Sequence, residues 1–294
     1  MSSAVRPRMV NAGGVPMSAL LAEVAEPHAV VVALHGGGTT SAYFDCPGQP
    51  HLSLLRTGAA LGYTVIGLDR PGYGSSALYP EAMEDPEQRV RLAYLAVDRI
   101  LGDRDRGAGL FVVGHSNGCE LALRMAADDR GAELLGLELA GTGLRYQPAA
   151  QNVLSTARPD QRPVGLRELL WEPASLYPDE VLRGVLQASP GAQYEAAMVT
   201  AWPRTDFPAL AARVGVPVRF TFAEHERIWQ SDSAAQREIR EIFTATPNFT
   251  SNEEPGSGHN LSVGFGAQRY HRSVLSFVED CAASVGAAQD SEVS

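Results

Sequence analysis

A serine lies at the centre of the most chemically suggestive motif in the chain, Gly114-His115-Ser116-Asn117-Gly118. The motif follows an apolar run and precedes a helix-like segment, so Ser116 is predicted to occupy a tight strand-to-helix turn. The flanking glycines would let strand and helix pass closely, and the turn would expose the serine hydroxyl as a nucleophile. The backbone N–H of Asn117 is predicted to stabilise the oxyanion that forms when Ser116 attacks a carbonyl. The alternative is an ordinary glycine-rich turn.

A second oxyanion donor is predicted in His35-Gly36-Gly37-Gly38, which directly follows another apolar run. Glycines there would let a backbone amide approach the substrate oxygen without an intervening Cβ atom. We assign this donor to the N–H of Gly37, and each donor of this kind typically lowers the barrier by ~3 kcal/mol. The alternative is a glycine-rich turn that binds no ligand.

His259 is the predicted general base, because a serine hydroxyl needs a neighbouring base to become a good nucleophile. It lies in Gly256-Ser257-Gly258-His259-Asn260, after the short run Asn248 to Ser251, in a segment predicted to be a flexible loop ahead of the terminal helix. The alternative is an ordinary surface-loop histidine. His225 lies between Glu224 and Glu226, the two candidates for the acid of the site. The remaining histidines belong to the two turns, the terminal helix or less suitable positions: His28, His35, His51, His115 and His271.

Two glutamates compete for the role of the acid that orients the histidine. Both follow the apolar run Val218 to Phe222, in the segment Ala223-Glu224-His225-Glu226-Arg227. A carboxylate on this loop could accept a hydrogen bond from the Nδ1–H of His259. We assign the role to Glu226 and keep Glu224 as the alternative. The acid and the base would then leave neighbouring strands at their C-terminal ends, where open α/β sheets place their sites.

The elements that must position these residues are predicted from short apolar runs that alternate with amphipathic segments. This alternation is typical of a mostly parallel sheet flanked by helices. The clearest strands are Ala29 to Leu34, Tyr63 to Leu68, Leu110 to Val113, Leu134 to Leu139 and Val218 to Phe222. The helix candidates are Glu87 to Leu101, Cys119 to Ala127, Asp232 to Phe243 and Arg269 to Ala283. The stretch Met9 to Val24, with Gly13-Gly14 inside it, predicts a hairpin at an antiparallel end of the sheet.

Residues 143–204 interrupt this alternation. No strand pattern recurs there, while seven of the 19 prolines and two of the three tryptophans, Trp171 and Trp202, fall in this stretch. We predict a helical cap at 143–204, inserted into a core formed by 1–142 and 205–294. A long irregular surface loop is the alternative, but such loops are uncommon in compact domains. The large apolar residues of the cap could line a cavity, although most are expected to pack against one another.

Composition excludes several classes of function. All 24 basic residues are arginine, so the chain can form no lysine Schiff base and contains no Walker A phosphate loop. The net charge of -10 disfavours nucleic-acid binding. The widely spaced Cys46, Cys119 and Cys281 indicate neither a disulfide framework nor a zinc site. Because no apolar run has the length of a signal peptide or a membrane span, a cytoplasmic, non-membrane protein is expected.

Together these motifs resemble the α/β-hydrolase fold superfamily over nearly the whole chain, from about Val10 to Ala283. The matching features are the His-Gly turn, the segment Asp69-Arg70-Pro71-Gly72-Tyr73-Gly74-Ser75 after the next strand, the serine motif, and the chain order Ser116, Glu226, His259. The resemblance implies an eight-stranded, mostly parallel sheet with a lid over the pocket. The chain departs from the family pattern in that Glu226 is one methylene longer than the usual aspartate and Asn117 replaces a bulkier residue.

A serine nucleophile favours acyl chemistry, because the epoxide hydrolases and haloalkane dehalogenases of the same fold need a carboxylate nucleophile. The leading hypothesis is a cofactor-free serine hydrolase that cleaves a carboxylic ester of a small-molecule acyl substrate, through an acyl-enzyme on Ser116. One competitor is a biosynthetic tailoring enzyme with the same triad, either a thioesterase, an acyltransferase or an acyl-eliminating lyase. Another is a ligand-binding protein that has lost turnover. A non-hydrolytic oxygenase or a hydroxynitrile lyase of the same fold is a further alternative.

Overall fold

Eight strands form one sheet in a computed structural model that describes residues 4–156, 163–184 and 189–292. The strands are β1 (Arg6–Ala12), β2 (Val15–Ala22), β3 (Val30–Leu34), β4 (Thr64–Leu68), β5 (Leu110–His115), β6 (Leu134–Ala140), β7 (Val218–His225) and β8 (Phe249–Gly258). Their spatial order is β1-β2-β4-β3-β5-β6-β7-β8. β2 pairs antiparallel with β1 and β4, and the remaining pairs are parallel. The predicted mostly parallel, eight-stranded sheet is confirmed.

Helices cover both faces of the sheet. They are α1 (Leu54–Ala60), α2 (Pro86–Leu101), α3 (Gly118–Ala127), α4 (Pro148–Leu154), α5 (Leu166–Trp171), α6 (Asp179–Leu182), α7 (Glu195–Ala201), α8 (Phe207–Ala211), α9 (Ser233–Ile242) and α10 (Ala267–Glu292). The four helices predicted from the sequence correspond to α2, α3, α9 and α10. The last of these continues well past its predicted end at Ala283.

β3 explains why the central strands are continuous apolar runs in the sequence. All five of its residues are fully buried. Val30, Val32 and Leu34 belong to an apolar cluster that includes α2 and α3, whereas Val31 and Ala33 belong to one that includes α1 and α10. A strand covered on both faces needs apolar side chains at every position, and each buried valine or leucine stabilises the fold by about 1.5–3 kcal/mol. The C-terminal ends of the parallel strands are therefore fixed between two helical layers.

β8 is longer than the sequence predicts. The run Asn248 to Ser251 covers only its beginning, and pairing with β7 extends the strand to Gly258. His259 therefore follows the strand directly, and the prediction of a flexible loop between this run and His259 is wrong. The ladder with β7 fixes the backbone just before the histidine.

The segment predicted to be a cap, 143–204, contains α4, α5, α6 and α7. Within its described residues no strand of the sheet occurs, and 157–162 and 185–188 lie outside the described residues. After α7, a π-helical turn (Trp202–Asp206) leads directly into α8. The predicted boundary at 204 thus falls inside a continuous helical segment, and the division into core and cap stays a prediction.

The three cysteines are buried and unpaired. Burial raises the pKa of Cys46 to about 11 and that of Cys281 to about 12, so these thiols stay protonated at neutral pH. Across the described ranges, no helix is both long enough and apolar enough to cross a membrane.

Candidate active site

Ser116 occupies the turn between β5 and α3. Its φ of 53° makes it the one non-glycine residue with a positive φ in the described part of the chain, a conformation that costs about 1–3 kcal/mol for such a residue. Two backbone hydrogen bonds hold the turn: the Ser116 N–H donates to the Ala140 carbonyl (2.8 Å), and the Cys119 N–H donates to the Ser116 carbonyl (2.9 Å). The strain is therefore held by the surrounding strands and helix, as expected for a functional turn.

The two glycines that flank Ser116 allow strand and helix to approach closely. A Cβ atom at Gly118 would lie 2.2 Å from the carbonyl oxygen of Leu34, and one at Gly114 would lie 2.9 Å from the Cβ of Ala122. The obstacle at Gly118 is backbone from the neighbouring strand β3, which cannot move aside as a flexible side chain could. The glycines of the motif are thus required by packing as well as by the turn.

We expect Gly118→Ala to destabilise the protein by at least about 2 kcal/mol, because the new methyl group would overlap the Leu34 carbonyl. The matched control is Gly215→Ala, since a Cβ at Gly215 has no atom within 4 Å. Urea unfolding followed by circular dichroism measures both variants. If both variants unfolded at the same midpoint, close approach at Gly118 would be contradicted.

His259 lies beside the serine at the end of β8. Its Nε2 is 3.1 Å from the Oγ of Ser116, and the ring is almost fully buried. The serine hydroxyl can donate to an unprotonated Nε2, and this is the geometry that a general base needs. The structure thus brings together the predicted nucleophile and the predicted base, although 143 residues separate them in the chain.

Glu226 completes a chain of hydrogen bonds. The Nδ1 of His259 lies 3.0 Å and 2.9 Å from the two carboxylate oxygens of Glu226, and the Ile228 N–H donates to Oε1 (2.8 Å). Burial raises the pKa of Glu226, but the charge of His259 and the hydrogen bonds to the carboxylate outweigh burial and lower the pKa below its ordinary value. An ionised Glu226 accepts from Nδ1–H and leaves Nε2 free to accept from the serine.

Glu224, the alternative acid, is placed elsewhere. Its side chain is about half exposed and accepts a hydrogen bond from the Gly256 N–H (2.7 Å). The chain turns after Ala223, where the Glu226 N–H donates to the Ala223 carbonyl (3.1 Å), and this turn directs Glu226 towards His259. Of the two competing glutamates, the structure brings Glu226 to the histidine.

The glycine turn after β3 lies against the serine turn. A Cβ at Gly36 would be 3.1 Å from the Cβ of Ser116, and one at Gly37 would be 2.8 Å from the side-chain amide nitrogen of Asn117. Gly37 and Asn117, the two predicted oxyanion donors, are therefore neighbours at the C-terminal ends of the paired strands β3 and β5. Their role as donors stays a prediction.

His115 and Tyr177 hold the backbone at His259 and Asn260, a function that sequence analysis did not assign to either residue. The His115 ring stacks on Tyr43 at 4.5 Å, and its Nε2 lies 2.9 Å from the His259 carbonyl. Burial, assisted by the charge of His259, lowers the pKa of His115 to about 3, so the ring is neutral and its Nε2–H donates to that carbonyl. The hydroxyl of Tyr177 accepts from the Asn260 N–H (3.2 Å). For His115, the only indication of this role in the sequence was its position next to Ser116.

A narrow cleft lies beside Ser116, with a cavity volume of about 20 Å³. Ligand sites for drug-sized molecules usually measure about 300–1,000 Å³, so the cleft is closed to a substrate in this conformation. Its wall is mostly apolar and aromatic, and it is lined by Ser116, Asn117, Glu120, Thr142, Tyr146, Met198, Val199, Trp202 and Trp229. The apolar wall favours an apolar group next to the Ser116 hydroxyl. Among the described residues, no group of three His, Cys, Asp or Glu side chains is placed to hold a metal ion.

Comparison with known structures shows the same fold in several hydrolases. An E-2-(acetamidomethylene)succinate hydrolase is 16% identical, with a TM-score of 0.67 over 94% of this chain and 100% of that chain. A thermostable carboxyl esterase from Bacillus coagulans is 17% identical, with a TM-score of 0.62 over 95% and 99%. The thioesterase domain from the curacin biosynthetic pathway is 19% identical, with a TM-score of 0.61 over 94% and 99%. At such identities the likeness shows the fold alone.

Sequence comparison identifies the family. A search of the curated proteins found no significant match. The model of the alpha/beta hydrolase family, by contrast, matches residues 31–270, which is most of the chain and includes the segments of Ser116, Glu226 and His259. The resemblance inferred from the motifs is thereby confirmed: the chain belongs to the alpha/beta hydrolase family and is a hydrolase.

Proposed function

We propose that the protein is a cofactor-free serine hydrolase that cleaves a carboxylic ester of a small-molecule substrate through an acyl-enzyme on Ser116. The observation that carries this proposal is the continuous chain of hydrogen bonds from Ser116 Oγ to His259 Nε2 (3.1 Å) and from His259 Nδ1 to Glu226 (2.9 Å). The positive φ of Ser116 supports it, because such strain is typically retained at functional residues.

In the proposed reaction, Ser116 Oγ attacks the acyl carbon while its proton passes to His259 Nε2. The backbone N–H groups of Gly37 and Asn117 hold the oxyanion of the tetrahedral intermediate. The intermediate then expels the alcohol, which takes the proton from His259, and the acyl group stays on the serine. A water molecule gives its proton to His259 and attacks the acyl carbon, so that the acid is released and Ser116 recovers its proton. Glu226 stays ionised and stabilises the imidazolium in both steps.

The apolar wall of the cleft supports a substrate with an apolar acyl group. Met198 and Val199 of α7 and Trp202 lie in its wall, and these residues belong to the segment 143–204 that we propose acts as a cap. A substrate can therefore reach Ser116 only if this part of the chain moves, because the closed cleft is smaller than most ligand sites.

Reaction with a fluorophosphonate probe tests the proposal. Ser116 should displace fluoride and gain the phosphonyl group, which peptide mass spectrometry would locate on residue 116. We expect His259→Gln to slow this labelling by about 10³-fold, since a general base typically contributes 10²–10⁴-fold. His225→Gln is the matched control, because His225 lies nearby but its side chain is 41% exposed and contacts Glu224.

The outcomes separate the proposal from its competitors. Labelling at Ser116 together with rapid turnover of short p-nitrophenyl esters supports an esterase. Labelling without ester turnover favours an acyl-transferring or acyl-eliminating enzyme with the same nucleophile. A folded protein whose Ser116 remains unmodified by the probe contradicts the serine mechanism altogether.

A further inference from the structure

Arg70, which follows β4 closely, is fully buried beside the glycine turn 36–38. Its guanidinium donates to the Gly36 carbonyl through Nη2 (3.1 Å). Its backbone N–H donates to Nε2 of His35 (3.1 Å). Arg70 therefore holds the beginning of the turn through both its side chain and its main chain.

Tyr73, three residues later, holds the end of the same turn. Its hydroxyl accepts a hydrogen bond from the Gly38 N–H (3.0 Å). Burial raises the pKa of Tyr73 to about 12, so the hydroxyl keeps its proton and can also donate. Gly37, the proposed oxyanion donor, thus lies between two residues whose backbones are fixed by Arg70 and Tyr73.

Glu195, at the start of α7, joins these two side chains. One carboxylate oxygen accepts from Arg70 Nη2 (2.5 Å), and the other accepts from the Tyr73 hydroxyl (2.6 Å). The Glu195 residue is 8% exposed, so loss of the carboxylate would leave a buried arginine without its counter-charge. A second contact from the same segment reaches the turn, where the Ser189 N–H donates to the Gly38 carbonyl (3.0 Å).

The helix that carries Glu195 also closes the cleft, because Met198 and Val199 of α7 line it. We propose that Glu195 is a positioning residue that couples closure of α7 over the substrate to the geometry of the glycine turn 36–38. When α7 moves to admit a substrate, Glu195 leaves Arg70 and Tyr73. When it returns, the ion pair and the hydrogen bond fix the turn and aim the Gly37 N–H at the oxyanion. This inference rests on the proposed serine hydrolase function.

The coupling predicts a change in kcat with little change in KM. Loss of one complete oxyanion donor typically costs 10²–10³-fold in kcat, and a donor that is displaced but retained should cost less. We therefore expect Glu195→Gln to lower kcat for a p-nitrophenyl ester by about 10–100-fold while KM changes by less than about threefold. Tyr73→Phe, which removes only the hydroxyl, should also lower kcat by at least about tenfold.

Affinity for a trifluoromethyl ketone provides a second measurement. It should stay unchanged if Glu195 and Tyr73 only stabilise the fold. This inhibitor forms a tetrahedral adduct with the serine and needs the oxyanion donors, so its affinity should fall by the same factor as kcat/KM. In the double variant Tyr73→Phe/Glu195→Gln the losses should be less than multiplicative, since both changes remove the same hydrogen bond. The matched control is Glu238→Gln, which removes the exposed ion pair with Arg145 (2.7 Å) and should leave all values unchanged.

Each outcome decides one of the two proposals. If the wild type turns over esters but both single variants match it in kcat and inhibitor affinity, the coupling is wrong and the serine mechanism stands. If the wild type neither turns over esters nor labels at Ser116, the proposed function is wrong. If Glu195→Gln fails to fold, Tyr73→Phe decides alone: lower kcat with parallel loss of inhibitor affinity supports the coupling, and wild-type values contradict it.

Discussion

Replacement of Glu226 by glutamine is expected to lower kcat/KM for ester hydrolysis by about 10⁴-fold while the protein stays folded. The Ile228 N–H donates to Oε1 of Glu226, and a glutamine would keep its amide oxygen at this donor. Its NH₂ group would then face Nδ1 of His259. A donor at that position stabilises the tautomer that carries its proton on Nε2, and this nitrogen can no longer accept the proton of Ser116.

The matched control is Glu224→Gln, two residues away. Glu224 is about half exposed and bonds to the Gly256 N–H, so its replacement should change kcat/KM by less than about twofold. Steady-state kinetics with one p-nitrophenyl ester measures both variants. Similar losses in the two variants, or a loss confined to Glu224→Gln, would contradict the assignment of Glu226 as the acid.

The protein is expected to lose stability steeply as the pH falls below 6.5, because three histidines are fully buried in the fold. Burial is the main cause that lowers the pKa of His115 and of His271 to about 3, and it places the pKa of His35 well below 6.5. These side chains are neutral in the folded state, whereas the unfolded chain takes up a proton on each below pH 6.5. The contribution of these three rings to stability is therefore complete above pH 6.5 and is lost as the pH falls towards their folded pKa values.

The expected loss is large compared with the stability of a typical domain. Each histidine contributes about 1.4 kcal/mol per pH unit, so His115 and His271, with pKa values of about 3, together cost about 4 kcal/mol at pH 5, against a typical total of about 5–15 kcal/mol. The buried His35 adds to this loss in the same direction. Glu138 has the opposite effect on stability. Burial raises its pKa, so the folded state takes up a proton on Glu138 at a higher pH than the unfolded chain does. It offsets part of the loss only once the pH approaches its raised pKa.

His271 allows a direct test, because neither ring nitrogen has a hydrogen-bond partner among the described residues. We expect His271→Leu to stabilise the protein by about 2 kcal/mol at pH 5 relative to its effect at pH 8. His51 is exposed, so His51→Leu should show no such pH dependence. Urea unfolding at the two pH values measures the difference. An equal effect of His271→Leu at both values would contradict a neutral, buried ring.

The serine turn could be predicted from the sequence because its requirements are local. Gly114 and Gly118 are needed where strand and helix touch, and both lie within two residues of Ser116. The same is true of β3, where burial on both faces demands an unbroken apolar run. Features of this kind leave a pattern in consecutive residues, so sequence analysis finds them.

The sequence favoured Glu226 as the acid but left Glu224 as an alternative, since two carboxylates two residues apart have similar local surroundings. What separates them is the turn after Ala223 and the tertiary contact with His259. The role proposed for Glu195 is harder to predict, because no sequence motif surrounds this residue. Its importance arises from Arg70 and Tyr73, which lie more than 120 residues away.

β8 was predicted too short for a related reason. Its later part, from Glu253 to Gly258, contains two glutamates, a proline and two glycines, which are uncommon in strands. Its pairing with β7 depends on long-range packing. The sequence therefore predicted a flexible loop where the structure has a strand that leads directly to His259.

The same polar composition has a consequence for how copies of the protein behave towards one another. β8 is one of the two edge strands of the sheet, and an unprotected edge strand can pair with a strand of another chain and so promote aggregation. The exposed Glu253 and Pro255 oppose such addition, one by its charge and the other by its missing N–H donor. Glu253 and Pro255, which make this strand hard to predict from the sequence, thus also disfavour its pairing with a strand of another chain.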